Sequence, residues 1–160
     1  MTESLFWEII DSAWTKNAQI EKKRVKALRN NDPELLAALG EELWGSVLNN
    51  YNKRLVLLGK PDLTAFIHIL EEKLYAIDRA EIHEFVGGSD DDFLYGRFFI
   101  VAVGEAYYNK IDRDPSMANE SMEAEQFGFA PYEVYKYKFK TEFERYTKHN
   151  IATQSNADAW

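Results

Sequence analysis

The sequence predicts an all-α domain of about six helices, packed in a compact orthogonal or bundle-like array. Two observations carry this prediction. Apolar residues recur at three- and four-residue intervals along most of the chain, which is the spacing of one helix face. Turns rich in glycine, proline and aspartate separate these periodic stretches. A chain of 160 residues, of which 46% are hydrophobic, suits one domain with one core.

Two helices are predicted before residue 30. The first begins at Glu3, whose charge favours a helix start, and the second runs from Gln19 to Arg29. One side of the second helix is basic, which we interpret as a solvated face. The apolar face of the first helix comprises Leu5, Phe6, Ile9, Ile10 and Ala13.

The next two helices start at proline-containing turns. Asp32 caps a third helix and Pro33 takes its first position. This helix is predicted to reach Tyr51, with Gly40 and Gly45 as the points at which it would break. A fourth helix follows Gly59-Lys60-Pro61, and its apolar face comprises Leu63, Phe66, Ile67, Leu70, Leu74 and Ile77.

Capping also predicts the start of the fifth helix. Ser89 is a good cap, and the carboxylates of Asp90, Asp91 and Asp92 occupy the first turn. This helix is predicted to continue to about Lys110. A short helix from Asp112-Arg113-Asp114-Pro115 to about Phe127 would follow.

A last helix is predicted from Pro131. Residues 135–140 also alternate as a strand would, which leaves 135–146 open between helix and strand, but oppositely charged residues at helical spacing favour a helix. Polar, small residues dominate the end of the chain. We therefore expect a single helical domain over residues 1–148 and a flexible polar tail over 149–160. The predicted stripe of the last helix comprises Tyr132, Tyr135, Phe139, Phe143 and Tyr146.

Charge limits the classes of partner. The chain has 27 acidic and 19 basic residues, which gives a net charge of −8. Nucleic acid binding depends on lysine and arginine neutralising phosphates, and an anionic membrane repels an acidic protein. We expect neither partner, and instead a basic protein reached by electrostatic steering. The sequence leaves the oligomeric state open.

Absent motifs narrow the functional classes further. The chain has no cysteine, so thiolate nucleophiles and sulfur-ligated metals are excluded. It contains no P-loop, no dinucleotide fingerprint and no Gly-x-Ser-x-Gly elbow. No signal peptide is visible, and the longest apolar-rich stretch, Phe98 to Val103, is too short to span a membrane. We therefore expect a cytoplasmic protein.

The best candidates for chemistry are a run of acids, an arginine and a histidine. Asp90, Asp91 and Asp92 suggest a hard cation, but consecutive helical residues point about 100° apart, which favours a capped helix start. Arg97 lies in an apolar neighbourhood, where a structural ion pair is favoured over ligand binding. His83 could act as a general base in a pocket, and His68 with Glu71 or Glu72 offers too few zinc ligands.

The stretch from Gly87-Gly88-Ser89-Asp90-Asp91-Asp92 to Arg97 resembles a motif of DUF4240, a bacterial family of unknown function. The family pattern reads Gly-Gly-x-Ser-Asp-Asp-x-Phe-x-x-Phe-Arg, and this chain lacks one residue between Gly88 and Ser89. Further similarity covers most of residues 1–138. The resemblance implies an all-helical bacterial cytosolic domain and supplies no catalytic or binding residue. Other matching stretches are Phe6–Ile10, Ile100–Gly104 with Tyr107 and Tyr108, and Asp114-Pro115.

Together these features favour a non-enzymatic intracellular protein-binding domain. An immunity or antitoxin protein is the example that size and charge suggest, with Glu41, Glu42 and Asp90–Asp92 covering a basic toxin active site. The alternative is a small-molecule-binding domain or enzyme with a polar pocket around Arg97, His83 and the aspartate turn. No catalytic residue, cofactor or metal is predicted.

Overall fold

Helices make up 74% of the chain in the computed structural model, which describes residues 1–120 and 122–160. No strand occurs in these two ranges, so the all-α prediction is confirmed. The described residues form nine α-helices rather than about six. They are α1 Glu3–Thr15, α2 Ala18–Asn30, α3 Pro33–Trp44, α4 Ser46–Leu57, α5 Lys60–Ala76, α6 Ala80–Val86, α7 Asp90–Val103, α8 Glu105–Arg113 and α9 Glu125–Phe139.

Two glycines account for part of the difference in helix number. Gly45 separates α3 from α4, at one of the two predicted break points. Gly104 separates α7 from α8, where the sequence predicts one continuous helix. Its φ of +115° is readily adopted only by glycine. A side chain there would meet Asp11 and Arg24, since an added Cβ would lie 2.8 Å from the Asp11 carboxylate.

Helix α7 lies at the centre of the core. Every residue from Gly96 to Val103 is buried, because α7 packs against α1, α3, α5, α8 and α9. Trp14 of α1 is fully buried, and its indole N–H donates to the Ala102 carbonyl at 2.8 Å. A helix that is apolar on all sides is typical of such a central position.

Helix α9 differs from the predicted last helix at both ends. It begins at Glu125 instead of Pro131, and Pro131 lies inside it. The short helix predicted as far as Phe127 is therefore wrong: between α8 and α9, the residues that the structure describes form only a 3₁₀ turn, at Pro115–Met117. Pro131 costs α9 one backbone hydrogen bond. Packing compensates for this loss, since Gly128 allows α9 to lie directly against the Phe98 ring.

Residues 135–139 are helical, but α9 ends at Phe139 and Lys140 takes a left-handed backbone conformation with φ of +56°. The predicted continuation to Tyr146 is thus wrong, and residues 140–146 form neither helix nor strand. Lys136 pairs with Glu142 at 2.6 Å, in place of the helical pair of Lys138 with Glu142.

The end of the chain lies against α5, α6 and α7. Ile151 is completely buried, and residues that follow it hydrogen-bond to Asp78. Buried charged groups in the helical domain take hydrogen-bond partners from these residues. The flexibility expected over residues 149–160 stays a prediction. Within the described part of the chain, no helix is both long enough and apolar enough to cross a bilayer.

Candidate functional site

Two neighbouring cavities mark one surface of the molecule. The first, of about 360 Å³, lies beside the α6–α7 turn, and the second, of about 530 Å³, lies beside α3. They share Met122 and Glu123 as lining residues, so the two cavities adjoin each other, and we refer to them together as the depression. Their other lining residues are Val86, Gly87, Gly88, Asp92 and Glu120 in the first cavity, and Ala37, Gly40, Glu41, Trp44 and Phe99 in the second.

This depression is strongly acidic. Four carboxylates line it, and none of its described lining residues is a lysine or an arginine. Trp44 lies beside them with 56% of its surface exposed, which is unusual for so large an apolar side chain. We call this surface the acidic face; its charged and aromatic members are Glu41, Trp44, Asp92, Glu120 and Glu123.

A capping box holds Asp92 in place. The Ser89 backbone N–H and hydroxyl each donate to Asp92 Oδ2 at 2.8 Å, and the Asp92 N–H donates to Ser89 Oγ at 3.3 Å. The predicted cap is therefore confirmed. The hydrogen bond from the Ser89 backbone lowers the pKa of Asp92, which keeps this carboxylate charged.

The acidic surface extends beyond the cavities. Tyr95 lies near Glu125, Asp91 and Glu123: partial desolvation raises the pKa of its hydroxyl, and these three carboxylates raise it further. Asp90 and Asp91 are exposed at the start of α7. The side chains of the three aspartates diverge around the helix, as expected from its geometry.

The structure brings together only some of the predicted acidic residues. Glu41 lies on the acidic face with Asp92, although 51 positions separate them in the chain. Glu42 points elsewhere: its carboxylate accepts a hydrogen bond from Lys23 of α2 at 2.7 Å. The sequence-based assignment missed Glu120 and Glu123, although the acidic run between residues 120 and 125 was a usable signal.

Arg97 is completely buried and faces the end of the chain. Its guanidinium donates to the Leu74 carbonyl at 2.9 Å and to the Ile151 carbonyl at 2.8 Å. It also lies over the Phe93 ring, 4.8 Å from the ring centre. Burial lowers the pKa of Arg97 to about 10, although the nearby Asp78 charge acts in the opposite direction.

Asp78 is a second fully buried charged residue at the same place, and it was not among the site residues predicted from the sequence. Its carboxylate accepts from the backbone N–H groups of Gln154 at 3.1 Å and Asn156 at 3.0 Å. The Ser155 hydroxyl and the Trp160 indole donate to it as well, at 3.1 and 3.2 Å. Its nearest approach to Arg97 is 3.9 Å, which is longer than a hydrogen bond.

His83 and Asp90 also converge here, but the chain itself fills the space between them. The His83 ring lies 4.9 Å from the Phe93 ring and 5.3 Å from the Trp160 ring. Asp90 takes part through its main chain, since its carbonyl accepts from the Thr153 hydroxyl at 2.7 Å. Neither of the two cavities described above is lined by Arg97 or His83, and residues of the segment 151–160 lie against both side chains.

Another fully buried acid, Glu71, belongs to α5. Its carboxylate accepts from the Tyr132 hydroxyl at 3.1 Å and the Tyr146 N–H at 3.2 Å. Burial, and then the Glu71 charge, raise the pKa of Tyr132. His68 lies 3.5 Å from Glu71. The described residues contain no group of three or more potential metal ligands, here or elsewhere.

The fold and these sites define a small all-helical domain with an exposed acidic face and a second charged site that its own end covers. The chain belongs to the family described as protein of unknown function (DUF4240), which matches residues 1–145. No curated protein and no solved structure matches the chain.

Proposed function

We propose that the chain is a non-enzymatic protein-binding domain whose acidic face receives a partner with a basic surface. One observation carries the proposal: residues from α3, from the segment before α9 and from the start of α7 meet in one depression lined by four carboxylates. These segments are distant in sequence, so the fold itself concentrates the charge. A concave surface with one sign of charge raises the local concentration of oppositely charged ligands.

Trp44 adds an apolar contact, which the carboxylates of the acidic face cannot make. Exposed charge pairs contribute little affinity, whereas a tryptophan buried at the centre of an interface is a frequent hot spot. Trp44 lines the same cavity as Glu41 and Glu123. The carboxylates would then steer the partner and fix its orientation, and Trp44 would hold it.

The specific form that we propose is a cytoplasmic bacterial immunity or antitoxin protein, which occludes a toxin by covering its basic active site. The net charge of −8 supports this form, because a toxin that acts on nucleic acid presents a basic surface. The mechanism is steric and electrostatic and requires no catalytic group.

The proposal is tested by capture from a cell extract of the source organism, followed by binding kinetics across a salt series. Glu41→Lys/Glu123→Lys should lower the association rate of the captured protein by about tenfold or more, because steering depends on these charges. Raising the ionic strength should have the same effect on the wild type, since the screening length falls below about 10 Å above 0.1 M. Trp44→Ala should mainly accelerate dissociation.

The matched control is Glu8→Lys/Glu144→Lys, which changes the net charge equally at two exposed positions outside the depression. It should leave the association rate close to that of the wild type. A partner whose association ignores both salt and the Glu41/Glu123 substitutions would eliminate the acidic-face mechanism. Purification with a retained metabolite and without a protein partner would favour a small-molecule-binding domain instead.

A further inference from the structure

The cleft that holds residues 150–160 has the properties of a peptide-binding site. Its walls are the α5–α6 turn, α6 and the first half of α7, which contribute Asp78, His83, Phe93 and Arg97. We call it the carboxyl-terminal cleft. Residues 150–160, which fill this cleft, lie outside both the family match, which ends at residue 145, and the last α-helix, which ends at Phe139. Residues 144–148 are exposed and connect the two parts.

The charged groups of the cleft are directed at the segment and not at each other. Asp78 and Arg97 approach no closer than 3.9 Å, although both are fully buried. Two buried opposite charges would gain most from a direct hydrogen-bonded pair. Instead, Arg97 donates to a backbone carbonyl of the segment, and Asp78 accepts from two of its backbone N–H groups.

This pattern is the usual way to recognise a peptide. Hydrogen bonds to the main chain supply affinity, and pockets for a few side chains supply specificity. Two side chains of the segment act as anchors. Ile151 is completely buried, and the Trp160 ring lies against His83 and Phe93 while its N–H donates to the Asp78 carbonyl at 3.0 Å.

We propose that the carboxyl-terminal cleft is a peptide-binding site that residues 150–160 occupy in cis. The ligand class is a short peptide with a buried aliphatic residue, a turn that presents two or three backbone N–H groups to Asp78, and a tryptophan about nine residues after the aliphatic one. A free peptide with the sequence of residues 148–160 should therefore compete with the attached segment. This inference concerns a different surface from the acidic face and does not depend on the function proposed there.

The test uses the full chain with a weakened segment. Ile151→Ser/Trp160→Ala removes both anchors and leaves Asp78 and Arg97 in place. A fluorescent peptide of residues 148–160 should bind this variant, as followed by anisotropy. It should bind the wild type at least about tenfold more weakly, because the attached segment competes at an effective concentration on the order of millimolar. A control peptide with the same two substitutions should not bind either chain.

A second experiment decides the matter if that variant does not fold. A protease site inserted between Lys148 and His149, in the exposed connector, allows the segment to be cut after folding. Exchange of the cut segment for the labelled peptide in a domain that keeps its helical circular dichroism spectrum supports the proposal. Absence of exchange, or unfolding of the domain on cutting, overturns it, as does a folded double variant that fails to bind the peptide.

Discussion

The acidic face and the carboxyl-terminal cleft lie at the same end of α7, and both depend on carboxylates. At the acidic face, Asp92 is exposed, and among the residues that the structure describes its carboxylate receives hydrogen bonds only from Ser89, three residues away. In the cleft, Asp78 is buried, and its four partners lie 76 to 82 residues away in the chain. The carboxylate therefore caps a helix within one turn at the acidic face, whereas in the cleft it holds a segment that is distant in sequence.

The difference between Asp92 and Asp78 follows from their hydration. An exposed carboxylate keeps its hydration, so it adds little to stability and stays available to a partner. A buried carboxylate has lost that hydration, and the protein must replace every hydrogen bond that water supplied. Charge on the acidic face can thus be altered with little effect on folding, whereas charge in the cleft cannot. Substitutions at three places, in decreasing order of their effect on stability, examine this difference.

Asp78→Ala should have the largest effect on stability. It leaves Arg97 buried without a counter-charge and leaves the N–H groups of Gln154 and Asn156 without their acceptor. A buried charge that is left without compensation typically costs about 3–5 kcal/mol. Urea unfolding followed by circular dichroism measures the loss. Asp78→Asn, which keeps one acceptor oxygen, should lose less, and a loss below 1 kcal/mol for alanine would contradict the role given to Asp78.

Ser89→Ala should have an intermediate effect, because it removes a helix cap at the border of the acidic face. We expect a loss of about 1 kcal/mol, and only a few tenths for Ser89→Gly. Urea unfolding of both variants and of the wild type shows whether the alanine variant loses more stability than the glycine variant. Equal and negligible losses would show that the capping box of α7 contributes nothing in solution.

Glu123→Gln and Glu41→Gln should have the smallest effect. Each removes one of several like charges from the acidic face without disturbing a described hydrogen bond. Surface substitutions of this kind usually change stability by less than about 0.5 kcal/mol. Thermal unfolding of the two variants provides the measurement. A loss comparable to that of Asp78→Ala would mean that these carboxylates have structural partners, and the contrast between the two regions would fail.

Local signals made most of the fold predictable. Ser89, Asp32 and Pro33 act at the helix starts where the sequence placed them, because a cap depends only on residues within one turn. The break at Gly104 was not predictable in this way. It depends on the approach of Asp11 and Arg24, which belong to other helices. The early start of α9 likewise depends on the contact between Gly128 and Phe98.

In the candidate sites, too, local sequence predicts some features, and contacts between distant segments determine the others. Exposed acids such as Glu41 and Asp92 could be named from the sequence, since charge and helix position suffice to predict exposure. Their proximity could not, because it arises from the packing of α3 near α7. Glu71 lies next to Glu72 in α5, and Asp78 follows the end of that helix. Acids are usually exposed, so their residue type alone does not predict burial. The flexible tail was inferred from its polar composition. Composition gives no information about buried groups such as Asp78 and Arg97, which hydrogen-bond to these residues.

The long sequence separation between Arg97 and Ile151 has a consequence for synthesis on the ribosome. The two residues lie 54 positions apart. At a translation rate of about 5–20 residues per second, Ile151 is added roughly 3–11 seconds after Arg97. Helices form within microseconds, so α7 can form long before the residues that complete its surroundings have been added. During that interval Arg97 and Asp78 remain hydrated, and the end of the nascent domain that holds them stays open to water and chaperones until the last residues arrive.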